Sequence, residues 1–139
     1  MKNLYEDMPQ CSYHAVDLSE NVMAGLNFVE KKQGRLTNIP YPDESFDYVY
    51  VCEALEHAVN IEGALRELWR VTNKNGKIVI IDKPIEKLGM MEIDEWEQWI
   101  DGEQLKRAMG LLGGKIETIE SVPYEGKNNG LFRAWILRK

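Results

Sequence analysis

The sequence predicts a single α/β domain: a mostly parallel sheet with helices on both faces and an antiparallel C-terminal hairpin. Three observations carry this. FDYVYVC (46–52) and KIVIID (77–82) are near-continuous apolar runs, the pattern of strands covered on both faces of a parallel sheet. Between them Ile61, Ala64, Leu65 and Leu68 recur at helical spacing, so strand, helix and strand follow in the order of a right-handed crossover. Near the end of the chain, residues 115–124 and 131–138 read as two strands joined by the Gly- and Asn-rich EGKNNG.

Composition bounds the function. A chain of 139 residues with 44% hydrophobic and 29% charged residues suits one folded domain spanning 1–139. A net charge of −6, with 17 scattered Lys and Arg, argues against nucleic acid as partner. Cys11 and Cys52 form neither a disulfide framework nor a zinc-ligand spacing, and no metal is expected. No leader opens the chain and no apolar run approaches a membrane span, so a cytoplasmic protein with no membrane partner is expected.

In order along the chain, SYHAVD (12–17) reads as a strand entering DLSEN, with Ser19 as N-cap of a helix whose buried stripe is Val22, Met23, Leu26 and Val29. Gly34 stops that helix. IPYPDES (39–45), with two prolines, is a loop into FDYVYVC, which is expected to be central. Asn60 is the candidate N-cap of the helix over Ile61 to Leu68, which ends near 73–76. Residues 83–100, rich in Met, Trp and acids, read as a lid or insertion with a short helix near 93–99. Asp101 and Gln104 form an Asp-x-x-Gln variant of the capping box before Leu105, Ala108, Met109 and Leu112, and Gly113 and Gly114 end that helix.

YPDESFDYVYVCEALEH (41–57), continued by ALRELWRVTNKNGKIVIID (64–82) and preceded by VDLSENV, resembles the class I S-adenosylmethionine-dependent methyltransferases, in particular the group with the ubiquinone and menaquinone biosynthesis enzymes. The match is specific over residues 13–82 and one of pattern beyond. It implies a Rossmann-like sheet of order 3-2-1-4-5-7-6 with the last strand antiparallel, S-adenosylmethionine as cofactor and a small-molecule substrate. By this resemblance Asp17 binds the cofactor ribose, with capping of the next helix as the alternative. Leu18 and Leu36 would cover the adenine. Cys52 and Glu53 would line the methionine end, although a glutamate also suits a helix start. His57, four residues after Glu53 and on the same face if both are helical, would border the substrate pocket as a general base. Its alternative role is to order the loop.

Two departures stand out. The family's GxGxG loop after its first strand has no counterpart, because only Met1 to Cys11 precede SYHAVD and they contain no glycine. Arg35 stands where the family pattern has an Asp facing the adenine amino group, and arginine cannot accept that hydrogen bond. Loss of the first strand would leave a gap about two strand spacings wide in mid-sheet. Three remedies are open: SYHAVD pairs with FDYVYVC, residues 1–10 insert, or a homo-oligomer or strand-swapped dimer supplies a strand; alternatively the sequence is truncated at the N-terminus, a fragment of a longer protein that carries the missing strand and loop. The alternative function is a degenerate, non-catalytic oligomeric or partner-binding module, with Trp96 and Trp99 as contact surface.

Overall fold

A computed structural model describes residues 6–123 and 129–139. SYHAVD supplies β1 (His14–Asp17), paired in parallel with β2 (Glu30–Gln33) in a two-stranded sheet. A second, four-stranded sheet holds β3 (Phe46–Cys52), β4 (Thr72–Asp82), β5 (Lys115–Ile119) and β6 (Arg133–Arg138), in the order β3-β4-β6-β5. The β3–β4 pair is parallel, and β6 runs antiparallel to both β4 and β5. The C-terminal hairpin is therefore present, although residues 124–128 of its connection lie outside the described residues.

Helix α1 (Ile61–Val71) crosses from β3 to β4 and begins where Asn60 was expected to cap it, its side chain accepting the Gly63 N–H at 2.9 Å. Helix α2 (Gly102–Leu111) begins with the Asp101 carboxylate accepting the N–H groups of Glu103 and Gln104, and ends at Gly113, whose φ of +80° suits only glycine. Ala64, Leu65 and Leu68 of α1, with Leu105 and Met109 of α2, pack onto Val51, Ile78, Ile80, Trp135 and Leu137 of the sheet. Gly76 is required sterically, since a Cβ there would stand 2.6 Å from the Thr72 methyl and 2.8 Å from the Asn73 carbonyl oxygen. Among the described residues no helix is long and apolar enough to cross a membrane.

Several expectations are corrected. Residues 20–25 form successive turns with i to i+3 hydrogen bonds, such as Met23 N–H to Glu20 O, rather than a helix, and Val22 is exposed while Met23 is buried. Ser19 caps no helix. Among the described residues, α1 and α2 lie against each other on the Val51/Ile80 face, and Tyr48 and Tyr50 on the opposite face are exposed. β3 is thus an edge strand of its sheet, not a strand covered on both faces. Residues 93–99 make a single turn, Glu97 N–H to Asp94 O, while the one helical turn of this region is a 3-10 turn at Ile85–Lys87.

No ladder joins β1 to β3 among the described residues. The two strands start side by side, with the His14 and Phe46 rings 5.2 Å apart and Tyr41 edge-on to both. Direct pairing of SYHAVD with FDYVYVC is therefore not how the missing strand is accommodated. Residues 6–10 form a helical turn and a tight turn instead of a strand, and residues 1–5 lie outside the described residues.

This core predicts asymmetric mutational sensitivity. Leu65→Ala, at a fully buried position, should cost about 2–5 kcal/mol in urea unfolding. Val59→Ala, at a position 97% exposed, should stay within about 0.5 kcal/mol.

Candidate functional site

β1 delivers Asp17 at its C-terminal end, and the following turn is fixed locally. Asp17 Oδ1 accepts the Ser19 N–H at 2.8 Å, a self-closing turn of the kind Asp favours, and the Asp17 carbonyl accepts the Gly34 N–H at 3.0 Å. The Gln33 amide donates to the Leu18 carbonyl at 2.8 Å, leaving the Leu18 side chain 60% exposed. Beside it lies an open groove of about 450 Å³ lined by Leu18, Gln33, Gly34, Arg35, Asn38 and Pro40. Leu36 turns away from this groove and packs at the margin of the core.

The groove wall is anchored to α1 through Arg70. Its guanidinium donates to the carbonyls of Ile39 and Tyr41 and to the carboxylates of Asp43 and Glu67, while Glu67 also accepts the Ile39 N–H at 2.9 Å. Hydrogen bonding from Arg70 holds the Glu67 pKa below its usual value. The loop carrying two prolines is thereby clamped before it enters β3.

β3 and β4 end together at a rim rich in charge. Glu53, directly after β3, has φ of +44°, a left-handed conformation uncommon outside glycine, and its N–H is held by the Ile81 carbonyl at 3.0 Å. A 3-10 turn, Leu55–His57, follows. Lys83, immediately after β4 and 1% exposed, makes an ion pair with buried Glu56 and reaches Glu53 Oε1 at 3.5 Å. Burial opposes its charge, but Glu56, Asp82 and Glu53 outweigh that and raise the Lys83 pKa. Asp82, fully buried, accepts the N–H groups of Lys83 at 2.9 Å and Glu56 at 3.2 Å. Burial, followed by the Glu56 charge, pushes its carboxyl up to about 7.

His57 stands at the outer edge of this cluster. Its Nε2 lies 3.4 Å from Glu56 Oε1 and 3.8 Å from Glu97 Oε1. Ligand atoms of Glu56, His57 and Glu97 fall within 4.8 Å of one another. Because the Lys83 ammonium already neutralises Glu56, the arrangement reads as a histidine flanked by carboxylates rather than as a cation site.

The structure thus gathers Cys52, Glu53 and His57 on one rim, and places Leu18 in the groove beyond β1, directly after Asp17, which does not itself line it. Glu53 and His57 do not share a helix face, because the left-handed residue and the 3-10 turn separate them. Sequence reasoning missed Asp82, Lys83, Glu56 and Glu97. An Asp-Lys pair ending an apolar strand was the available signal, since such charges at a strand terminus need partners when buried.

The methyltransferase domain model matches residues 2–80, more than half of the chain, and the chain belongs to that family. The cofactor that goes with the family is S-adenosylmethionine. A demethylmenaquinone methyltransferase of Lactobacillus johnsonii is 32% identical over 92 residues, 60% of this chain and 35% of the relative. The chain therefore matches about a third of the length of that relative. A SAM-dependent methyltransferase of Archaeoglobus fulgidus superposes with a TM-score of 0.76 at 16% identity, covering 99% of this chain and 80% of the other. One from Thermotoga maritima gives 0.72 at 18% identity, covering 89% and 72%. At such identities these two show the shared Rossmann-like fold.

The buried rim predicts a pH-dependent contribution to stability. With its folded pKa raised from 3.8 to about 7, Asp82 contributes most below pH 4, and that contribution is lost as pH rises through about 7. In urea unfolding at stepped pH, the stability of the protein relative to its Asp82→Asn variant should fall between pH 4 and 7 and level off above.

Proposed function

We propose that the chain is an S-adenosylmethionine-dependent methyltransferase domain acting on a small molecule. The observation that carries this is the pairing of two strand ends: β1 ending at Asp17 beside an open groove, and β3 ending at the strained Glu53 turn. In open parallel sheets such ends face the ligand crevice. Asp17 would accept hydrogen bonds from the ribose diol, its second oxygen complementing the one that closes the turn. Leu18 would cover the purine from the groove side, whereas Leu36 packs against the core. The Cys52 to Glu53 turn would face the methionine end, and His57 would stand at the acceptor.

When bound, the cofactor supplies a methyl group already activated by the sulfonium. The chain's own task is then alignment and exclusion of water, with a proton accepted from those acceptors that carry one. Leu18, Gly34 and Pro40 suit the nucleoside end, whereas Arg35 offers no acceptor to the adenine amino group. By family likeness to the demethylmenaquinone methyltransferases, a cyclic or quinone-like acceptor is one candidate substrate class.

A second reading is favoured by a specific observation. The facing edges of β1 and β3 have no ladder partner among the described residues, and Tyr48 and Tyr50 are exposed beside the slot. An unpaired, apolar edge is a template for strand addition. In that reading the chain is an oligomeric or partner-binding module, with a strand from another copy or another polypeptide in the slot.

Calorimetric titration separates the two. S-adenosylmethionine should bind, S-adenosylhomocysteine should compete, and Asp17→Ala should weaken both by about tenfold or more, as loss of charge-assisted hydrogen bonds implies. A stable oligomer by light scattering, unchanged by cofactor and accompanied by no heat of binding, would favour the module.

A further inference from the structure

Each of the two carboxylates facing His57 has its second oxygen committed elsewhere. Glu56 Oε2 is held by the buried Lys83 ammonium, while the Glu56 N–H is tied to Asp82. Glu97 Oε2 accepts the Asp94 N–H at 3.2 Å. That leaves Oε1 of each nearest the same ring atom, His57 Nε2, at 3.4 Å from Glu56 and 3.8 Å from Glu97. The segment carrying Glu97 is itself fastened to the turn carrying His57: the Gln98 N–H donates to the Glu56 carbonyl at 3.1 Å, and the Gln98 side chain donates to the Ala58 carbonyl at 2.7 Å. The base of the same segment is closed by Ile85 N–H to Ile100 O and Ile100 N–H to Lys83 O.

We propose that Glu97 is a positioning residue that holds His57 through Nε2, so that Nδ1 is the ring atom that receives a proton from the methyl acceptor. Two carboxylate oxygens 3.4 and 3.8 Å from Nε2, too long for hydrogen bonds but close enough for attraction, favour electrostatically the neutral tautomer with its hydrogen there, which leaves the lone pair on Nδ1. Glu56 is already neutralised by Lys83, so Glu97 is the carboxylate that compensates the imidazolium once it forms. The step balances. The acceptor X–H gives its proton to Nδ1, the X–CH3 bond forms, and the carbon–sulfur bond breaks with its electron pair staying on sulfur as the neutral thioether. Assignment of this proton transfer rests on the methyltransferase reading; the tautomer and the role of Glu97 do not.

The test uses ring-nitrogen NMR on the whole chain labelled with 15N-histidine, at a pH where the rings are neutral. The chain has two histidines, so a His14→Gln variant assigns the His57 signals. The expected result is an Nε2–H tautomer for His57, moving toward the exchange average of the two tautomers in Glu97→Ala and largely restored in Glu97→Gln, which keeps an acceptor oxygen. An Nδ1–H tautomer in the unmodified protein, or a Glu97→Ala spectrum identical to it, overturns the proposal. Amide spectra of each variant establish that the fold persists. S-adenosylhomocysteine binding, measured on the same samples, judges the methyltransferase reading separately: its absence would sink that reading while leaving the tautomer result to stand or fall by itself.

Discussion

A lysine ammonium taken out of water costs several kcal/mol unless it is paired, and the rim where β3 and β4 end is organised around that requirement at Lys83. Glu56 meets it directly and Glu53 from 3.5 Å. Asp82, fully buried beside them, has its charge opposed by burial and is held by two backbone N–H groups. This fixes the 3-10 turn, and with it His57, relative to the end of the parallel pair. The parallel β3–β4 ladder makes the cluster possible, because it brings residues 53–57 and 82–83 to the same edge of the sheet.

A contrasting condition holds across the slot between β1 and β3. Buried backbone groups in mid-sheet are ordinarily satisfied by neighbours, and here the ring stack of His14, Tyr41 and Phe46 joins only the starts of the two strands. The groove beside Leu18 and the rim at Glu53 therefore belong to two sheets, joined by the Arg70 clamp on the loop between them and by the packing of Val16, Ile39 and Tyr41 against the common core. Methyl transfer would require the two sheets to act as one rigid pocket. Whatever occupies the slot consequently bears on function as well as on stability.

Much of the architecture was legible in the sequence. Continuous apolar runs marked β3 and β4, Asn60 and Asp101 marked the starts of α1 and α2, and the final pair of strands was marked by its turn chemistry. Residues 20–29 misled because the helical spacing of Val22, Met23, Leu26 and Val29 is used at one position only, Met23 being buried while Val22 is exposed, and local turns win where a stripe has so little packing. FDYVYVC looked central for a related reason. An apolar run reports what a strand is suited to, while its neighbours decide whether Tyr48 and Tyr50 are covered. Of the candidate site, Asp17, Leu18, Glu53 and His57 could be named from motif resemblance. Glu97 could not, because its contact with His57 spans forty residues and depends on how the segment after β4 folds back.

The central claim is that the Asp17 turn and the Glu53 turn form two walls of one nucleoside-binding crevice. Amide chemical-shift mapping during titration with S-adenosylhomocysteine tests it most directly. The account predicts that the resonances of Leu18, Arg35 and Glu53 move together with one common binding isotherm. Shifts confined to one of the two walls, or to the opposite face of the sheet around Tyr48 and Tyr50, would contradict it.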